Sequence, residues 1–384
     1  MSSDVLADRL MWLRSLMEEE SVDVIVLTNP TSVFFFSGFS SIMGKGFAPF
    51  RPILLMEQRD EPILLVPWIE YHVACEESYL KQVRYYTPYP IYMGNAYTTA
   101  QSWEALIADI IHTKYPYISS IGLERAFISA NTYLQLTSLL GTQIIKDVSQ
   151  PIQVLRARKM PQELNYIHMA AEVASDALYE AVPLLQPGVR ECDVARALAG
   201  VIYSSEAEFS HIVVASGERS VIPHGLPTSR RFQAMDLVVI DFGVLYKGYW
   251  AEICRTFAIK RATKRQKEIF GLVKEGQERA VRALKPGVKA YLVDQAVREY
   301  FVQAGFGECF IHSTGHGLGL GDQGDPPFIA PGSEHVVPEC GAISLEPGLY
   351  LKSEGIGIRL EDAFLIHGER VQRVTSVPQE LCIT

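Results

Sequence analysis

Cysteine is scarce and scattered. Cys75, Cys192, Cys254, Cys309, Cys340 and Cys382 are the six in 384 residues, with no C-x-x-C pair and no short-range framework. That excludes a disulfide scaffold and matches free thiols in a reducing compartment. Basic clusters are missing too. The 35 Lys and Arg against 44 Asp and Glu leave a formal charge of −9, and no Lys/Arg run is long enough to track a phosphate backbone. Nucleic acid and acidic membrane surfaces are therefore not expected partners. No apolar run approaches the roughly 18 residues of a membrane span. The first twenty residues read as an amphipathic helix with charges throughout rather than a targeting segment. A soluble, cytoplasmic protein is expected.

What is present is the composition of a folded chain, 48% hydrophobic and 21% charged with 28 Gly and 21 Pro. At roughly 150 residues per domain, two domains are expected. Short β-rich runs occur at Val22 to Leu27, in SVFFFSGF, at Arg51 to Met56 and at Glu61 to Val66. Helical stretches follow at Ile69 to Glu77 and Ala100 to His112, then a strand at Ser120 to Leu123. This alternation predicts an α/β domain with a mixed sheet over residues 1–155. The pattern changes near Gln153 to Lys159, and Pro161 with Glu163 opens a long helix running to about Leu185. The second domain, 156–384, contains a repeat. One long helix ends in LLQPGV and is followed by a second helix from Glu191; another ends in ALKPGV and is followed by a helix from Leu292. Two βααβ halves related by a pseudo-two-fold axis explain the repetition, and the cleft between such halves is a natural ligand site.

The chemistry concentrates in this second domain. The strand LVVIDFG carries Asp241, and after a YKGY turn the next strand carries Glu252. Cross-strand neighbours bring carboxylates within a few Å, where a cation keeps both ionised. The plainer reading leaves Glu252 facing solvent. His316 lies in a Gly-rich turn, Glu346 in ISLEPG and Glu361 in IRLEDAFLI. Carboxylates in such apolar strands need a partner, and a metal serves several at once. Four carboxylates and one imidazole suit manganese, iron or cobalt, as one ion or as a bridged pair. Gly319 to Gly324 match G-x-G-x-x-G, but Asp325, Pro326 and Pro327 follow where a helix must start, so no dinucleotide loop is expected. Cys254 reads as a small core residue rather than a nucleophile.

The set Asp241, Glu252, His316, Glu346 and Glu361 resembles the metal ligands of the pita-bread peptidases (family M24): methionine aminopeptidases, Xaa-Pro aminopeptidases, prolidases and the metal-free creatinases. The resemblance extends to the RARK-x-x-x-E entry helix, the PHGLP around His224, the DFG strand, the GHGLGL loop, LEPGLYL and RLED. It implies a small N-terminal creatinase-like α/β domain and a C-terminal pita-bread α+β domain. It also implies His224, Glu346 and Glu361 as catalytic groups, with His224 facing the substrate. His312 is implied as a neighbour of His316 at the substrate, and Arg359 as the group that orients Glu361 or Asp362. Arg51 is a candidate substrate contact reaching from the small domain into a partner's cleft; a residue merely flanking a strand is the plainer reading.

Two positions depart from the peptidase pattern. Glu252 stands where the family usually has Asp, one methylene shorter, and Gln323-Gly324 stand where proline peptidases carry a His-Glu pair. The second departure implies weaker cleavage of ordinary Xaa-Pro peptides. Creatinase-like members place Glu immediately before the hairpin's Arg-Thr, and this chain has Cys254 there. The expectation is a homodimeric, metal-dependent hydrolase of an amide-type C–N bond, in a short Xaa-Pro peptide or a small amide. Its cofactor would be one or two divalent ions, manganese first, with iron, cobalt or zinc as alternatives. Creatinase-like metal-free hydrolysis or a lyase reaction on a small metabolite is the second expectation, and a binding protein on a disabled peptidase fold the third.

Overall fold

The computed structural model describes residues 3–43, 50–141, 144–321 and 324–381. Gln323 and Cys382 lie outside the described residues. The chain divides into two compact units, Met1–Leu155 and Arg156–Thr384.

The first unit contains helices α1 (Ser3–Glu19), α2 (Pro30–Ser37), α3 (Tyr71–Glu77), α4 (Trp103–Lys114) and α5 (Ala130–Leu140). Its strands are β1 (Val24–Leu27), β2 (Ile53–Glu57), β3 (Ile63–Pro67), β4 (Gln82–Tyr86), the short β5 (Tyr92–Met93) and β6 (Ala96–Tyr97), β7 (Ser120–Leu123) and β8 (Ile144–Asp147). Six of them form one sheet in the order β4-β3-β2-β1-β7-β8. The sheet is mixed: β1 runs antiparallel to β2 and parallel to β7. Its central strands are buried on both faces, which explains why they read as unbroken apolar runs.

The run SVFFFSGF, expected to be β-rich, is instead helical in α2. Asn29 caps it by accepting from Thr31 N, Pro30 occupies the first turn, and Gly38 ends it in the left-handed region at φ 76°. These start and stop signals override the β preference of three successive phenylalanines. Arg51 precedes β2 and donates to the Phe127 carbonyl at 3.0 Å within the same unit.

After α6 (Ser149–Ala157), the second unit runs α7 (Pro161–Ala181), α8 (Glu191–Ser204), β9 (Glu208–Ser216), β10 (Leu237–Tyr246), β11 (Tyr249–Ala258), α9 (Lys264–Ala283) and α10 (Ala290–Gln303). It closes with β12 (Gly315–Gly317), β13 (Asp325–Ile329), β14 (Cys340–Leu345), β15 (Gly348–Leu351), β16 (Ile356–Arg359), β17 (Asp362–His367) and β18 (Arg370–Arg373). The sheets are β11-β10-β9 and β13-β12-β14-β17-β18, with β15-β16 as a hairpin.

The sequence repeat is a structural one. Gly188 and Gly287, after the first helix of each pair, both adopt left-handed φ, 91° and 79°. Gly188 N donates to Phe232 O and Phe232 N to Val189 O; in the other half Gly287 N donates to Val337 O and Val337 N to Val288 O. The shared turn needs a residue without a Cβ, which is why PGV recurs. The Gly-rich stretch at Gly319 leads into strand β13, not a helix, as its prolines predicted.

A buried ion pair fixes β11 to β17. Arg255 donates to Asp362 Oδ1 at 2.6 Å, and both side chains are excluded from water. Replacing Arg255 with Met strands the Asp362 charge, so Arg255→Met is expected to cost about 3–5 kcal/mol. Urea unfolding of the two proteins measures that difference; a loss below about 1 kcal/mol would contradict it.

Candidate metal centre

Strand register assembles the centre. Asp241 on β10 pairs with Cys254 on β11, and Gly243 pairs with Glu252. Alternation then puts Asp241 and Glu252 on one face as diagonal neighbours. Both are nearly fully buried, so the reading that Glu252 faces solvent is excluded. Space there depends on Gly243, because a Cβ at that position would run into Ser210 Oγ and Trp250 Nε1.

His316 comes from the short strand β12, between two glycines that the packing demands. A Cβ at Gly315 would collide with the Ser344 carbonyl, and one at Gly317 with Pro326 O. The His316 ring stacks on Trp250, with centroids 5.2 Å apart and planes 12° apart. Its Nδ1–H donates to Gly317 O at 3.1 Å. That directs Nε2 into the cluster, the arrangement of a metal-ligating histidine; burial would lower the imidazole's pKa, but Glu252 and Glu346 push it up to about 9, a pull that favours a positive charge at this place. The entry motif also supports this loop: Arg156 and Lys159 both pair with buried Asp325 at the start of β13.

Glu346 directly follows β14, where its N–H donates to Thr314 O at 2.8 Å, and its carboxylate lies 3.8 Å from His316 Nε2. Glu361 directly precedes β17, and its Oε1 accepts from Ser344 Oγ at 2.6 Å. Glu252, His316 and Glu361 each offer a ligand atom within 4.8 Å of the others, a spacing that suits one ion. Two oxygens of this cluster, Glu252 Oε1 and Glu361 Oε2, are buried with no hydrogen-bond partner. Glu252 Oε1 lies 3.0 Å from His316 Nε2, close but out of hydrogen-bonding direction. Burial, reinforced by the neighbouring carboxylates, pushes the Glu361 carboxyl far above its ordinary range. Burial pushes Glu346 up to about 7 against the opposing pull of His316 and Arg359. Orphaned buried carboxylate oxygens call for a cation, so the donor set fits a divalent metal.

Arg359 is placed differently from expectation. It orients neither Glu361 nor Asp362; Asp362 is held by Arg255, Thr375 and Gln379. The Arg359 guanidinium binds Asp241 Oδ2, Tyr350 Oη at 3.2 Å and Pro223 O at 3.1 Å. Burial alone would raise the Asp241 carboxyl, but Arg359 and His211 outweigh it and hold it down at about 2.

His312 is likewise not bonded to His316. Its Nδ1–H donates to Ser313 O at 2.8 Å and its Nε2 accepts from Tyr350 Oη at 3.1 Å, forming the chain Asp241, Arg359, Tyr350, His312. His224 is exposed in the turn after Pro223, whose carbonyl Arg359 holds. Cys254 is fully buried beside Asp241, and burial pushes its thiol well up, as befits a core residue.

Two residues of the centre were missed in the sequence. Tyr350 stands in LEPGLYL, where the alternation of β15 was the available signal. His211 in β9 is the other. Its Nε2 lies 2.9 Å from Asp241 Oδ1 and 3.9 Å from Glu252 Oε2. A β-bulge aims it there: β9 pairs Ile212 with Phe242 but Phe209 with Val244, one residue extra on β9. Bulges re-aim side chains beside sites, and this one has no sequence signature.

Comparison with known proteins agrees with the geometry. Residues 165–368 match Metallopeptidase family M24, and residues 9–158 match the Creatinase/Prolidase N-terminal domain. The chain is 32% identical to an Xaa-Pro dipeptidase of Pyrococcus furiosus, over 98% of this chain and 100% of that one. Among solved structures it resembles an Xaa-Pro dipeptidase from Bacillus anthracis (TM-score 0.86, 28% identity, 99% of this chain and 100% of that one). It also resembles prolidase from Pyrococcus furiosus (TM-score 0.81, 31% identity, 95% and 99%). The class is therefore a two-domain pita-bread hydrolase with a creatinase-type N-terminal domain. The chain belongs to metallopeptidase family M24 and is a metal-dependent peptidase. Among the described residues no helix is long and apolar enough to cross a membrane.

His312 gives a pH prediction. Burial first, then Arg359, lowers its pKa from 6.5 to about 4. The unfolded chain therefore takes up this proton at a higher pH than the folded one, and the stabilisation, complete above 6.5, is lost as pH falls towards 4. Unfolding midpoints between pH 7 and 4 are expected to fall less steeply in His312→Gln than in the parent chain; equal slopes would contradict the assignment.

Proposed function

We propose that this chain hydrolyses the peptide bond of short Xaa-Pro substrates, dipeptides first, using manganese as its divalent ion. The observation that carries the reading is the pair of unpartnered buried oxygens, Glu252 Oε1 and Glu361 Oε2, converging with His316. Relatives named Xaa-Pro dipeptidase, matched along their whole length, support the substrate. The same orphaned oxygens weigh against a metal-free, creatinase-like reaction. The ion supplies a Lewis acid and lowers the pKa of a water.

The protein's own groups do the rest. Glu346, beside His316 but outside the close cluster, accepts the proton of the attacking water and returns it to the leaving proline nitrogen. Glu361 is fixed by Ser344, so its free oxygen points in one direction. His224, exposed on a turn braced through Pro223 by Arg359, donates to the scissile carbonyl oxygen. His312, neutral and joined to Tyr350, lines the substrate side. Arg51, held by Phe127 O, is assigned a substrate contact. A homodimer in the cytoplasm completes the proposal. It is supported by the prevalence of closed two-fold assemblies and by exposed Ile69, Tyr89, Tyr92 and Tyr97 on the first unit.

Proline release from a series of Xaa-Pro and Xaa-Ala dipeptides, measured with manganese, tests this. The expected result is cleavage confined to Xaa-Pro, lost on chelation and restored by manganese. Glu346→Gln is expected to lower kcat by at least about a hundredfold while circular dichroism stays unchanged. Parent-level turnover in that variant, or equal cleavage of Xaa-Ala, would remove the mechanism or the substrate assignment respectively.

A further inference from the structure

Asp241 and Glu252 face the same space but are satisfied in opposite ways. Glu252 and Glu361 each keep a buried oxygen without a hydrogen bond. Asp241 keeps none: Oδ1 accepts from His211 Nε2 at 2.9 Å, and Oδ2 accepts from Arg359. The close three-ligand cluster accordingly contains Glu252, His316 and Glu361 and not Asp241.

The two histidines differ in the same sense. His316 commits its Nδ1–H to a backbone carbonyl, which turns Nε2 towards Glu252 and Glu346. At 3.0 Å, and outside hydrogen-bonding direction, His316 Nε2 and Glu252 Oε1 are placed to share one cation. His211 is set the other way. Its Nε2 lies 2.9 Å from Asp241 Oδ1, a carboxylate oxygen that can only accept, so a ring proton sits on Nε2 and points at Asp241, while Nδ1 lies 3.0 Å from Ser210 Oγ. An N–H directed into a carboxylate is a finished hydrogen bond, with no lone pair left for a metal. The longer side chain at 252 contributes as well. It carries the carboxylate across to His316, while its other oxygen remains 3.9 Å from His211 Nε2.

We propose that the centre takes a single ion, held by Glu252, His316 and Glu361, and that the Nε2–H of His211, set between Asp241 Oδ1 at 2.9 Å and Glu252 Oε2 at 3.9 Å, fills the place beside Asp241 and keeps a second ion out. The inference rests on the metal-dependent reading above. His211 is a positioning residue here: it acts through Asp241 and touches neither ion nor substrate.

The test is metal stoichiometry combined with electron paramagnetic resonance of the full chain. The protein is loaded with excess Mn²⁺, desalted and analysed by plasma mass spectrometry and at X-band. One Mn²⁺ per chain with an uncoupled six-line spectrum is expected. Two ions with an exchange-coupled multiline spectrum would overturn the single-ion centre and leave the metallopeptidase reading intact. No bound ion would overturn both. The role of His211 is tested separately with His211→Ala, and with His211→Thr as a second variant suited to a strand. Removing the imidazole frees Asp241 Oδ1, so a second Mn²⁺ and the coupled spectrum are expected to appear. If either folded variant stays at one ion, His211 is not what excludes the second. Arg359 and the fold are untouched by these changes, so a purely structural role for His211 would not change the spectrum.

Discussion

Carboxylates gathered away from water repel one another and resist ionisation, and the second unit is organised around relieving that cost. Asp241, Glu252, Glu346 and Glu361 occupy one region of its strands, and each meets the problem differently. Asp241 is neutralised by Arg359 and steadied by His211, which keeps it ionised well below the usual range. Glu361 has only the Ser344 hydroxyl on one oxygen, so burial and the neighbouring carboxylates push it the other way. The protein supplies one guanidinium and leaves the remaining charge to a metal. A cluster of this kind is costly to hold without its ion, and it is the feature on which the chemistry rests.

The scaffold around the cluster is correspondingly rigid. Gly315 and Gly317 permit backbones to approach His316 more closely than any side chain would allow. Trp250 stacks on the imidazole, and Gly317 O fixes its tautomer. On α10, Asp294 binds Thr314 while Arg298 binds the His312 carbonyl, anchoring the segment that leads into β12. Arg156 and Lys159 clamp Asp325 at its far end. Preorganisation of this sort holds ligand atoms in place before an ion arrives, so little ordering is left to binding.

The chain Asp241, Arg359, Tyr350, His312 carries hydrogen bonding from this buried charge out to a neutral imidazole. Arg359 also holds Pro223 O and so braces the turn that presents His224. One guanidinium thus serves three purposes: it neutralises Asp241, aligns the Tyr350 hydroxyl and fixes the His224 loop. An arginine suits the task better than a lysine because its planar donors reach several acceptors at once.

How much of this was legible beforehand follows from the physics of each feature. Residue identity and local period revealed the alternating α/β pattern of the first unit and the PGV repeat, and singled out five candidate donors from Asp241 to Glu361. Carboxylates in apolar strands and glycines flanking a histidine are improbable unless something requires them. The sequence also excluded a dinucleotide loop at Gly319, since proline cannot supply the free N–H groups that loop needs. Helix α2 was misread because aromatic β preference is weak beside an Asn-Pro start and a Gly stop. The partners of Arg359 and His312, the bulge that turns His211 toward Asp241 and the orphaned oxygens of Glu252 and Glu361 were fixed only by tertiary structure. Donors distant in the chain meet through strand register and side-chain reach, and no local pattern encodes which of two carboxylates an arginine will choose.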